Sequence, residues 1–176
     1  MLRTRAEGQN TIVVDPQDAP APDQNLDAEA TICEAKSTAT RAYAIMDMST
    51  TNDLILRGKR GILLTGDRRV AIVQDEMTLS QPANVVWSAY TRAKILSASA
   101  RTLILEQNGK RLLCKLMGGS GRFALTSIEG TAFSHITIET TVKDKLRMAV
   151  AFRLMDEGVQ KSDKLYELRP MSTWMQ

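Results

Sequence analysis

Few residues in this 176-residue chain have the type and spacing to do chemistry. Asp75-Glu76 is a carboxylate pair, but neighbours on an extended strand point to opposite faces, so the two cannot act together as acid and base. His135 stands just ahead of Ile136 at the start of an apolar alternation. It is the one histidine in the chain, and no Cys, Asp or Glu lies at ligand spacing from it. That setting suits a surface or capping residue better than a catalytic one. Tyr90 offers a phenol whose ordinary pKa near 10 would need strong neighbours to make it an acid–base group; a half-buried sheet tyrosine is the simpler reading. Trp87 reads as core rather than as a stacking platform. Arg3 and Arg5 carry guanidinium forks suited to carboxylate or sulfate, or else belong to a solvated terminal segment. Arg57, Lys59, Arg60, Arg68 and Arg69 would form one positive rim if their hairpins adjoin, and otherwise a solvated face. Gly118-Gly119-Ser120-Gly121 lacks the Lys and following Ser or Thr of a phosphate loop. Catalytic serines and dinucleotide fingerprints are missing, and no cofactor is implied. Cys33 and Cys114 each fall in an apolar run and read as two buried thiols, or as a cross-strand disulfide in an exported protein. The paired Cys and His spacing of a zinc site is missing, so no metal is expected.

The elements that must position these residues are short and closely spaced. Thr11–Val14, Ala30–Ala35, Ala42–Met48, Leu54–Leu56, Ile62–Leu64 and Val70–Val73 read as strands. Pro16, Pro20 and Pro22 mark residues 15–27 as a loop, and Thr65-Gly66-Asp67 marks a turn. Over Asn84–Thr91, Val85 and Trp87 fall on one face, with Val86, Ser88 and Tyr90 on the other. Leu103–Leu105, Asn108-Gly109 and Leu112–Cys114 carry a strong hairpin signal, since Asn-Gly tolerates the positive φ angles of a two-residue turn. From Leu146 to Leu154 apolar residues recur at period two, while Leu146, Val150 and Leu154 also fit a spacing of four; the Lys143-Asp144-Lys145 turn favours a strand. The tail after Glu157 reads as a loosely packed extension anchored by Trp174. The expected architecture is therefore all-β: an antiparallel sandwich of two stacked sheets over residues 1–156, with an extension over 157–176.

Composition narrows the partners. The net charge is +3, and only 5% of residues are aromatic, which argues against a nucleic-acid binder built on basic patches and stacking rings. Neither a secretory signal at Met1–Gly8 nor an apolar segment long enough to span a bilayer is present.

Several landmarks in order resemble the C-terminal sandwich of heparinase II/III-like polysaccharide lyases. Arg5-Ala6-Glu7-Gly8-Gln9-Asn10-Thr11-Ile12-Val13-Val14 resembles the segment that opens that domain. The proline-rich loop with Asp23-Gln24 follows. Ala44–Asn52 with Asp47, the Arg-bearing run Arg57–Ile62, Val73-Gln74-Asp75-Glu76 and Trp87-Ser88-Ala89-Tyr90-Thr91 complete the series. The resemblance implies a two-part enzyme, in which an (α/α) toroid carries most of the catalysis and the sandwich closes one side of the cleft. The implied reaction is eliminative cleavage of an acidic, uronate-containing polysaccharide. Members are often periplasmic or secreted. The toroid is not in this chain. Gln9 stands where members often have His, and Tyr90 where a Trp-x-x-His-Thr version has His. No catalytic residue is therefore assigned. The resemblance places Arg5, Gln9, Asn10 and Tyr90 as substrate-binding, though Asn10 would serve equally to organise the turn before the first strand. A chain of this kind would be inactive alone, or would act as a non-catalytic acidic-glycan-binding or assembly module, with open strand edges that favour a homodimer.

Overall fold

A computed structural model of the chain describes residues 5–16, 24–65, 68–156, 159–161 and 163–174. Arg3, the turn residues Gly66 and Asp67, and residues 17–23 of the proline-rich loop lie outside these. Twelve strands account for the fold: β1 (Ile12–Val14), β2 (Thr31–Ser37), β3 (Ala42–Asp47), β4 (Ile55–Thr65), β5 (Val70–Leu79), β6 (Ala83–Thr91), β7 (Lys94–Ala98), β8 (Thr102–Gln107), β9 (Lys110–Gly118), β10 (Arg122–Ser127), β11 (Ser134–Val142) and β12 (Lys145–Leu154). They form two antiparallel sheets, a small one in the order β1-β6-β11-β10 and a large one in the order β2-β3-β4-β5-β12-β9-β8-β7. The expected sandwich is the observed one.

Period-two patterning builds the first core. Val85 and Trp87 point inward from β6, as the sequence implies, and meet Ile12, Val14, Phe123 and Ile138 of the small sheet and Leu103, Leu116 and Val150 of the large one. Val86, Ser88 and Tyr90 take the opposite face. The β8–β9 hairpin turns at Asn108 (φ 52°) and Gly109 (φ 73°), the left-handed pair that a two-residue turn requires. The residue run 146–154 is a strand paired with β5 on one side and β9 on the other.

Three features depart from the expected pattern. Leu54–Leu56 and Ile62–Leu64 are not two strands; they lie in or beside the single strand β4, with a register shift between Ile55 and Arg57. Gly58 and Gly61 are extended residues where space is short. A Cβ on Gly61 would lie 2.5 Å from the Trp174 ring. Strands β7 and β10 carry too few apolar residues to stand out, since Phe123 alone is buried in β10. The tail is also packed rather than loose. Val159, Leu165, Met171 and Trp174 join Tyr43, Ile45, Leu63, Ile72 and Leu113 in a second core on the outer face of the large sheet. Both faces of β12 are thus covered, which explains the near-continuous apolar run that blurred its period.

Candidate functional site

Pairing registers bring four cations together on the outer face of the large sheet. In one row Arg57 of β4 pairs with Thr78 of β5, which pairs with Lys145 of β12. In the next row Lys59 pairs with Glu76 and Glu76 with Arg147. Arg57, Lys59, Lys145 and Arg147 are all exposed. With Glu34, Met171 and Ser172 they line an open groove of about 600 Å³. The two carboxylates in it are already engaged. Glu76 Oε1 accepts from Arg147 Nε at 2.9 Å, from the Met171 backbone N–H at 2.9 Å and from Gln74 Nε2 at 2.9 Å. Glu34 accepts from the Tyr43 hydroxyl, and that bond holds the phenol above its ordinary pKa. The groove therefore sets four cations against two carboxylates, all carried on rigid strands.

The positive rim expected from sequence is divided by the pleat. Arg57 and Lys59 face the groove. Arg60 points the other way, into the protein, where Nε reaches Asp75 Oδ1 at 2.8 Å and Nη2 reaches Asp75 Oδ2 at 3.0 Å. Arg68 binds the β2–β3 turn through Ser37 Oγ at 2.8 Å and the Ala39 carbonyl at 3.1 Å, and Arg69 lies 3.9 Å from Asp156. Lys145 and Arg147, almost ninety positions along, complete the cluster. Nothing in their local sequence marks them, because only the β4-β5-β12 order makes them neighbours.

The residues singled out from sequence occupy a different place, on and around the small sheet. Tyr90 and His135 are register partners, and their rings stack with centroids 4.2 Å apart and planes 2° from parallel. His135 Nε2 lies 3.1 Å from Ser88 Oγ. With Val86, Thr126, Thr137 and Glu139 they line a second groove of about 360 Å³. Asn10 is bound up in the framework: its side-chain Oδ1 accepts the Tyr90 backbone N–H at 2.8 Å, and its carbonyl accepts Arg60 Nη1 at 3.3 Å. Gln9 is exposed in the same turn, and Arg5 is buried rather than solvated, at 7% exposure. Asn10 and Tyr90 are thus brought together, through the backbone, while Arg5 and Gln9 contribute no side chain to either groove's lining. Asp75 and Glu76 face opposite sides of β5, as alternation requires. Cys33 and Cys114 are free thiols, the first exposed and the second buried. Among the described residues no group of three or more His, Cys, Asp or Glu is placed to hold a metal ion, and no helix is long and apolar enough to cross a membrane.

No family model and no curated protein matches the sequence. Solved structures do match the fold. A heparinase III with methylated lysines superposes with a TM-score of 0.65 at 11% identity, covering 87% of this chain. The heparan sulfate lyase HepC of Pedobacter heparinus gives 0.64 at 11% identity over 86%. The Slr1438 protein of Synechocystis gives 0.51 at 9% identity over 77% of this chain and 68% of that one. This chain shares its sandwich with part of those lyases. It spans only 24% of either lyase chain.

Proposed function

We propose that this chain is the C-terminal sandwich of a heparinase II/III-like polysaccharide lyase. In this reading residues 1–156 form the sandwich and 157–176 an extension sealing its outer face. Proton abstraction and departure of the leaving sugar belong to a helical toroid. The sandwich contributes binding of an acidic polysaccharide and turns over nothing by itself. The observation that carries this reading is the fold likeness to two lyases across 86–87% of the chain. The four-cation groove supports it, since repeated carboxylates or sulfates along a glycan match exposed Lys and Arg held on rigid strands. Tyr90 retains a place as a substrate contact beside His135. Asn10 supports it by accepting the Tyr90 backbone N–H through Oδ1, and Arg5 and Gln9 are retained as proposed substrate contacts from the same segment.

Two measurements test the reading. Absorbance of the unsaturated uronate product should stay flat when this chain alone meets heparan sulfate; robust turnover by the chain alone would overturn the assignment. On immobilised heparin the chain should be retained at low salt and released as screening rises. Lys59→Ala with Lys145→Ala should elute at clearly lower salt, while Lys94→Ala with Lys110→Ala should not. Equal losses from both pairs would reduce the groove to non-specific charge.

A second reading, a non-catalytic assembly module, draws on β2. This edge strand is exposed at six of its seven residues, including Ile32 at 66%, and an open edge invites pairing with another chain. Light scattering after gel filtration separates the readings, a firm dimer favouring the module.

A further inference from the structure

The two sheets do not close fully on one another. Between them lies a cavity of about 290 Å³, walled by Trp87, Leu105, Phe123 and Phe152 among other apolar side chains. This space is open to solvent rather than sealed, so a small molecule has a way in. Polar groups enter its lining only from Asn10, Arg60 and Thr91, apart from the Cys114 thiol. Their chemistry decides what would fit. Arg60 is already charge-paired, because Asp75 takes Nε and Nη2, while the Asn10 carbonyl takes Nη1. Burial pushes Cys114 up to about 12, so this wall is neutral as well. Thr91 Oγ1 accepts the Ala93 N–H at 3.0 Å and still has its own proton to donate.

We propose that this inter-sheet cavity binds a small uncharged amphiphile, an aliphatic or aromatic body inserted between the sheets with a hydroxyl or carbonyl oxygen toward Thr91 and Asn10. An apolar cavity of roughly 150 Å³ accepts benzene, so this one has room for about a dozen non-hydrogen atoms. A carboxylate head is disfavoured, since it would be desolvated beside Asp75 with the lining's Arg60 already paired. This site is independent of the glycan groove, which lies on the opposite face of the large sheet.

The test uses the whole chain and the neutral fluorescent dye 2-naphthol, whose naphthalene body and hydroxyl fit within that size. Saturable fluorescence enhancement at one dye per chain, displaced by decanol at roughly tenfold lower concentration than by decanoate, is expected. Absence of saturable enhancement, or equal displacement by the two competitors, overturns the proposal. Ala89 lines the cavity from β6, and Ala89→Leu should weaken dye binding about tenfold or more by filling the space. Unchanged binding in that variant places the dye elsewhere and overturns the proposal. Should Ala89→Leu lose its fold by circular dichroism, the wild-type melting temperature in decanol gives the answer. A saturable rise supports the site, and no rise overturns it.

Discussion

Two neighbouring rungs of the large sheet hold the same kinds of charge in opposite circumstances. On one rung Arg60 pairs with Asp75, and on the next Lys59 pairs with Glu76. The first pair points between the sheets, with side-chain exposures of 9% and 2%. The second points into the outer groove, where Arg147 joins it and is 43% exposed. The buried pair is bidentate and tied to the Asn10 carbonyl, and it serves the architecture. The exposed group keeps a surplus of positive charge that water screens and a ligand can exploit. A shift of one residue along a strand decides between the two, because the side-chain period is two.

Breaking the buried pair should have the largest effect. Asp75→Ala strands a guanidinium out of water, and its expected cost is about 3–5 kcal/mol. Urea unfolding should show it, with a fall in melting temperature on the order of 10 °C. Replacing both partners with Met and Leu should cost less than this single change; if it costs more, the pair is a net source of stability. The outer face tests the other half of the contrast. Trp174→Ala should cost about 3 kcal/mol, since Trp174 is 2% exposed against Gly61 and Tyr43 and donates Nε1–H to Tyr166 at 2.9 Å. A loss near zero would return the tail to the loose extension read from sequence.

Smaller effects sharpen the comparison further. The Asp47 carboxylate accepts the Ser49 backbone N–H at 2.8 Å, and hydrogen bonding from Ser49 holds its pKa below the ordinary value. A depressed carboxyl stabilises the fold above its unfolded pKa of about 3.9 and loses that contribution as pH falls through the folded value. Asp47→Ala should therefore cost about 0.5 kcal/mol at neutral pH, since solvent screens this partly exposed carboxyl, and nothing in strong acid, measured as the difference between two unfolding midpoints. The smallest change in stability should come from the groove itself. Lys59→Ala and Lys145→Ala should each stay within about 0.5 kcal/mol of the parent while moving heparin elution. A large loss of stability there would make the groove cations structural, like Arg60.

Much of the framework was legible along the chain. Alternation put Val85 and Trp87 on one face and Tyr90 on the other, Asn108-Gly109 fixed a hairpin, and the turn at Lys143-Asp144-Lys145 resolved the ambiguity of β12. The weak points share a cause. Leu54–Leu56 and Ile62–Leu64 read as separate strands because glycines and charges interrupt the apolar pattern, whereas Gly61 leaves room for an indole from residue 174. Strands β7 and β10 escaped notice because their neighbours, more than their own residues, hold them in the sheet. Asp75 and Glu76 were separated correctly by the pleat, yet nothing nearby in sequence announces Arg60 as the partner of one or Arg147 of the other.

What the linear pattern settled was local: which residues extend, where the chain turns, and which face of a strand each side chain takes, all consequences of a repeat of two and of backbone sterics. What the tertiary structure decided was adjacency. The order β4-β5-β12 joins Arg57 and Lys59 to Lys145 and Arg147, the tail selects which face of the large sheet is sealed, and the spacing of two unequal sheets leaves a cavity between them. Those outcomes follow from strand order and packing volume, and neither quantity is written in any short stretch of the chain.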